Sequence, residues 1–375
     1  MKNVLGIITT YDESTDLRDL TDHRTIAAVP FGGHYRVIDF MMSSMVNSNI
    51  THVGVVLRDK YQSLIDHIGN GKEWDLARKI GGVRLLPPYS YARNAAVFNA
   101  GDRSGTLEGL IGIVDFIKKS RADHVVIADG NIITNIDLEK VVTEHKDSEA
   151  DITVVCTKKT TDNQKDVFYK VNRKHDITEI CVSIDLNNKC THTGLGIYVM
   201  KKSILMDLIT VWASHNYKHF ELEGLNWAMK SMNLKAYVHD SYAAKITDVR
   251  RYYDANMDLL NKDVRDQLFL KKRPIRTKVH DEQPTYYSET SHVCESLIAD
   301  GCTLEGSVEN SILFRDVHVE KGAVLKNSIV LKRCTISEGA NAGHIIADQH
   351  VFIGKDKTIM GHKNYPVVIT KSSVV

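Results

Sequence analysis

The sequence has almost no net charge: 48 lysines and arginines stand against 47 aspartates and glutamates, leaving +1. That balance gives no global pull toward nucleic acid or an anionic membrane surface, so neither is an expected partner. No apolar run approaches the roughly 20 residues that a membrane span needs. The early stretch Val4-Leu5-Gly6-Ile7-Ile8 is too short, and too quickly polar, for a signal peptide. Cys156, Cys181, Cys190, Cys294, Cys302 and Cys334 form no C-x-x-C pair and no regular framework. The expectation is reduced thiols in a cytoplasmic protein.

What is present divides the chain in two. Up to residue 262, short continuous apolar runs such as Asn3–Thr9, Val53–Leu57 and His124–Ala128 alternate with helical patterns at Lys60–Ile68 and Leu107–Lys119. Fully apolar strands between helices predict a mostly parallel, Rossmann-like sheet covered on both faces. Ligands on such sheets sit at the carboxyl ends of strands, which directs attention to residues 9–24 and 128–135.

From residue 291 to 375 the rhythm changes to a repeat. Val308–Ala323 aligns without gaps on Leu325–Ala340, an offset of 17 residues. A third copy keeps Ile346, Val351 and Ile353 in register, and an earlier one keeps Ser296, Leu297, Cys302 and Leu304. Small apolar residues recurring about every six positions predict a parallel β-helix of roughly four coils, with an antiparallel meander as the competing arrangement. Between the halves, residues 263–290 read as a linker. Its stretch Lys271-Lys-Arg-Pro-Ile-Arg-Thr-Lys278 has no interleaved aromatics and reads as solvated rather than as a strand-binding platform.

The segment Arg24-Thr-Ile-Ala-Ala-Val-Pro-Phe-Gly-Gly-His-Tyr-Arg-Val-Ile-Asp-Phe40 resembles the stretch after the nucleotide loop of ADP-glucose pyrophosphorylases. Ser43, Asn47–Ile50, Gly105-Thr106, Thr193–Val199 and Tyr252–Leu259 extend the likeness over nearly the whole chain. The resemblance implies a nucleotidyltransferase-like α/β domain followed by a left-handed hexapeptide β-helix. Family enzymes join ATP and glucose 1-phosphate into ADP-glucose and pyrophosphate for glycogen synthesis, with Mg²⁺ and basic side chains neutralising phosphate charge.

Against that pattern, the residues that would carry chemistry are replaced. The family's Gly-Gly-x-Gly-x-Arg loop falls on Tyr11, Asp12, Ser14 and Asp16, with no glycine and a carboxylate at the arginine position. Backbone N–H groups there would no longer approach a phosphate closely. Ile26 stands at a substrate lysine and Ser183 at the sugar-phosphate lysine. The first metal aspartate aligns with Asn131, a neutral and weaker ligand for a hard cation. Asp129, two residues earlier, is an alternative carboxylate. The second metal aspartate aligns with Lys245, an ammonium where a dication would sit.

These losses resemble the second, GlgD-type subunit of two-subunit enzymes. The implied chain is inactive or nearly so, binds no cofactor itself, and leaves Mg²⁺ to an active partner subunit. It is expected to join that partner in a homo- or hetero-tetramer. An active sugar-phosphate nucleotidyltransferase with a remodelled loop is the alternative. A hexapeptide acyltransferase using His318, His344 or His350 is a remote third. The likeness also places His23, Arg24, His34 and Arg36 where family members bind phosphorylated effectors. The two arginines would either clamp phosphate or make structural salt bridges.

Overall fold

A computed structural model describes residues 3–10, 17–87, 106–158, 166–181 and 190–375. The first domain is built on a nine-stranded sheet. Its strands are β1 (Val4–Thr9), β2 (His52–Val56), β3 (Gly82–Leu86), β4 (His124–Asp129), β5 (Ile152–Lys158), β6 (Phe168–Val171), β7 (Ile177–Cys181), β8 (His192–Lys201) and β9 (Leu234–Val238). The order β3-β2-β1-β4 is parallel throughout, and β8 runs antiparallel beside β4. Beyond β8, β5 and β9 continue one branch while β6 and β7 continue the other. β1 and β4 are buried almost end to end because helices cover both faces, as their continuous apolar runs predict.

Helices α1 (Val37–Asn47) and α2 (Gln62–Ile68) follow the Pro30–Arg36 hairpin. That hairpin's tight turn uses Gly32 and Gly33 at φ +62° and +80°. It is held by α3 (Val249–Asp258), the helix of the Tyr252–Leu259 motif. Tyr252 Oη donates to Pro30 O at 2.6 Å, and Asn256 Oδ1 accepts from Gly32 N at 2.9 Å. Two motifs far apart in the chain are therefore one structural unit.

The second domain is three all-parallel sheets of five strands each, consistent with a left-handed β-helix. Register repeats down the stack: Val308 lies beside Leu325, Leu325 beside Ala342, and Ala342 beside Ile359. The parallel pairing excludes the meander, and five rungs replace the roughly four expected. In Ile312–Leu313 and Ile329–Val330 both residues are buried, for different reasons. Leu313 and Val330 fill the β-helix core, whereas Ile312, Ile329 and Ile346 pack outward against Phe31, Phe40, Tyr252 and Tyr253. One repeat thus supplies both the solenoid core and the docking face for the α/β domain.

Two expectations are corrected. Cys181 and Cys190 form a disulfide with Cα atoms 7.0 Å apart, so not all six cysteines are free thiols. The basic stretch 271–278 is solvated only in part. Arg273 donates to Ile136 O and pairs with Asp137 at 3.2 Å, while Asn47, Ser43 and Asp66 bind the segment's backbone or Lys278. Arg273 and Lys278 reach backbone carbonyls of the α/β domain, while Lys271 and Lys272 are exposed to water as expected. Among the described residues, no helix is long and apolar enough to cross a membrane.

Candidate functional site

The carboxyl ends of β1 and β4 bring Thr9 and Asp129 together. Thr9 Oγ1 donates to Asp129 Oδ1 at 2.8 Å. Lys245 arrives on a two-strand ribbon, Ala243–Lys245 against Ile132–Thr134, and its Nζ lies 2.9 Å from Asp129 Oδ2. The two side chains are only 12% and 15% exposed. Gly196, at φ +68°, makes room for the carboxylate: a Cβ there would come within 2.1 Å of Asp129 Oδ2. Next to this pair, Arg251 binds Asp166 through both terminal nitrogens, at 2.8 and 2.5 Å, and reaches Lys245 O at 3.4 Å. Behind it, Glu221 accepts from Tyr198 Oη and from Tyr169 Oη. Burial first, then the Glu221 charge, holds both phenols well above their usual range.

Among the described residues, Lys245 and Arg251 stand beside Asp129, Asp166 and Glu221. At an effective dielectric of 20, a dication ~4 Å from the Lys245 ammonium would meet about 8 kcal/mol of repulsion, which offsets the attraction of the Asp129 carboxylate at a like distance.

Asn131 is 2% exposed: its Nδ2 donates to Ile246 O at 2.9 Å and its main-chain carbonyl accepts from Ile246 N at 2.8 Å, while its Oδ1 is buried with no hydrogen-bond partner among the described residues. The carboxylate opposite Lys245 is Asp129, the residue that alignment had offered as the alternative. Ile26 is buried in apolar surroundings with Leu17 and Leu20. Asp16 and Ser183 lie outside the described residues.

A second constellation lies in the seam between the domains. Arg24 is buried in an ion pair with Asp348 of the β-helix, and its Nε donates to Leu20 O at 3.0 Å. Arg36 is half-buried; its Nη1 donates to Ser63 O and Oγ at 2.6 and 2.8 Å. Burial pulls its pKa down to about 10. His34 accepts on Nδ1 from Arg315 at 2.9 Å, and desolvation followed by the Arg315 charge lowers its pKa. His23 is exposed. The β-helix adds Lys332, whose pKa is lowered by desolvation, then by Arg333, Arg36, Lys371 and Arg24. His280 falls to about 4 through desolvation, then Arg315, Lys278, Lys332 and His67. Glu282, Asp300 and Asp316 act on Arg315, and Asp348 is engaged by Arg24. The groups that act most on Lys332 are all cations, an arrangement that an anion would relieve.

Sequence reasoning missed Lys332 and Arg315. A signal was present, because 315 and 332 are equivalent positions of the repeat, and both are basic. Of the acyltransferase candidates, His318 and His350 are exposed, and His344 is engaged by Tyr253 Oη at 3.1 Å.

Comparison with known proteins follows the same division. The nucleotidyl transferase family matches residues 12–262, and the GlmU-like C-terminal hexapeptide family matches residues 278–365. "Glycogen biosynthesis protein GlgD" of Bacillus subtilis is 35% identical over 373 residues, covering 99% of this chain and 96% of that protein. The protein of the same name from Geobacillus stearothermophilus is 36% identical over 326 residues, 86% of this chain and 82% of its own. A "Glucose-1-phosphate adenylyltransferase" of Clostridium perfringens is 29% identical over 395 aligned positions, 96% of each chain.

Proposed function

The chain belongs to the nucleotidyl transferase family, and on that premise we propose that it is a regulatory, non-catalytic or weakly catalytic subunit of glucose-1-phosphate adenylyltransferase. It is a glycogen-biosynthesis protein related to ADP-glucose pyrophosphorylase, as its similarity to the GlgD proteins supports. The observation that carries the regulatory reading is the Lys245–Asp129 pair. Transfer of a nucleotidyl group demands cationic help for phosphate charge, and here an internal ammonium has already neutralised the carboxylate at that place. The partner is the catalytic subunit, joined in a homo- or hetero-tetramer, and Mg²⁺ belongs to that partner's reaction. The seam cluster around Arg36 and Lys332 is the site for a phosphorylated effector. Arg24 contributes charge there while holding the domains together.

The test is ADP-glucose synthesis by the pure chain, by the catalytic subunit, and by their mixture. Fructose bisphosphate, phosphate and phosphoenolpyruvate are varied, and assembly is followed by sedimentation. The expected result is negligible turnover alone, a mixed tetramer, and altered rate or effector response in the mixture. Asn131→Asp leaves the chain inactive, because that side chain is bonded into the Ile246 backbone. Turnover near ~1 s⁻¹ by the pure chain would place it among ordinary enzymes and defeat the reading.

A further inference from the structure

The Arg36 guanidinium is held before any anion arrives. Its main-chain N–H donates to Asp39 Oδ2 at 2.8 Å, and its Nη1 is gripped by both oxygens of Ser63. Asp39 is fully buried, and its other oxygen, Oδ1, lies 2.6 Å from His67 Nε2. Ser63 and His67 sit four residues apart on α2, so one helix face grips Arg36 twice. Ser63 takes the guanidinium, and His67, through Asp39, takes the backbone. The His67 ring is 4% exposed in the ion-pair geometry and packs edge-on against Trp74 at 5.6 Å. Among the described residues, Nε and Nη2 of Arg36 have no protein acceptor.

A helix cap alone explains the Asp39 contact with Arg36 N, but not the rest. Capping needs neither a buried histidine on the second carboxylate oxygen nor two acceptors on the arginine's terminal nitrogen. A free arginine would lose several rotamers on meeting a phosphate; one already fixed avoids most of that cost. Resting on the anion-site reading of the seam, we propose that Ser63, Asp39 and His67 are positioning residues that preset Arg36 for bidentate recognition of a phosphate group. None of the three is itself a ligand. Asp39 is negative and buried behind the backbone, Ser63 is occupied by the guanidinium, and His67 faces Asp39.

The experiment is calorimetric titration of the full chain with inorganic phosphate, each variant's melting temperature being measured in parallel. Arg36→Ala abolishes measurable binding. Ser63→Ala and His67→Leu each weaken it about tenfold, equivalent to ~1.4 kcal/mol. Ser63→Thr, which keeps the hydroxyl, and His67→Gln, which keeps an N–H toward Asp39, restore most of the affinity. Recovery of affinity by the conservative variants at similar melting temperatures separates positioning from general stability. Should His67→Leu fail to fold, the Ser63 pair decides alone. Loss on Arg36→Ala with unchanged binding in Ser63→Ala and His67→Leu overturns the positioning role and leaves the anion site standing. Unchanged binding in Arg36→Ala overturns both.

Discussion

Replacing Asp348 with asparagine removes one charge from the seam at nearly constant shape. Arg24 and Asp348 side chains are 6% and 1% exposed, so the guanidinium would be left in a water-poor place without its counter-charge. Stranding one member of a buried pair costs about 3–5 kcal/mol. The remaining amide oxygen still accepts a hydrogen bond, which places Asp348→Asn at the lower end, near ~3 kcal/mol or about a hundredfold in equilibrium constant. The cost falls on domain docking, because Arg24 belongs to the α/β domain and Asp348 to the β-helix. Trp74, Trp212 and Trp227 are the three tryptophans, and all lie in the α/β domain. Urea unfolding followed by tryptophan fluorescence therefore reports one domain, and circular dichroism reports both. The parent should give coincident transitions, and Asp348→Asn should split them. The double variant Arg24→Met with Asp348→Leu should recover most of the loss, since apolar groups can replace a buried pair at little cost. Coincident transitions with a shift below ~0.5 kcal/mol in Asp348→Asn would refute the reasoning. A double variant as unstable as the single would assign the loss to packing rather than charge.

Two further expectations concern the α/β domain. His145 is 2% exposed, with Nδ1 on Thr153 Oγ1, and desolvation pushes its pKa down to about 4. The unfolded chain then binds a proton near pH 6.5 that the folded chain refuses, so stability is complete above that pH. It should fall by up to ~1.4 kcal/mol per pH unit as pH drops from about 6.5 toward about 4. Melting temperature against pH should flatten across that window in His145→Gln, and an identical slope would exclude the histidine. Gly196→Ala places a Cβ within 2.1 Å of Asp129 Oδ2 at φ +68°, and should destabilise by ~1–3 kcal/mol while displacing Asp129 from Lys245. Denaturant unfolding checks the first part, and unchanged stability would show that the carboxylate has room to move.

The architecture was legible wherever it was periodic. The central rungs keep one spacing, so Ile312, Ile329 and Ile346 align in sequence as they do in space. The outer rungs do not. Val293 pairs with Val308 after a shorter step, and Ile345 pairs with Val367 only after the turn at His362–Tyr365. The shorter first step still left Ser296 and Leu297 recognisable, but the 22-residue step from Ile345 to Val367 left no self-match, which is why five appeared as four. In the basic stretch 271–278, Lys271 and Lys272 are exposed as their charge predicts, but the rest departs for another reason. Charge density predicts water as the partner, but Arg273 and Lys278 found backbone carbonyls at Ile136 and Asp66, and carbonyl availability leaves no mark in composition.

At the pocket, the replacement of a carboxylate by Lys245 was visible, but its counter-ion was not. Asp129 and Asn131 stand on either side of a tight turn after the same strand, where a small change of register exchanges a pocket carboxylate for a buried amide. The seam shows the same limit more sharply. Arg24 and Arg36 share one motif and one residue type, and nothing local tells them apart. Arg24 is committed by an aspartate 324 positions away, whereas Arg36 is held by a serine 27 positions away with guanidinium nitrogens left over. Whether an arginine serves as a structural tie or as an anion ligand depends on which acceptors folding brings to it. In a seam crowded with cations, the arginine that keeps unused donors is the one able to respond to a ligand.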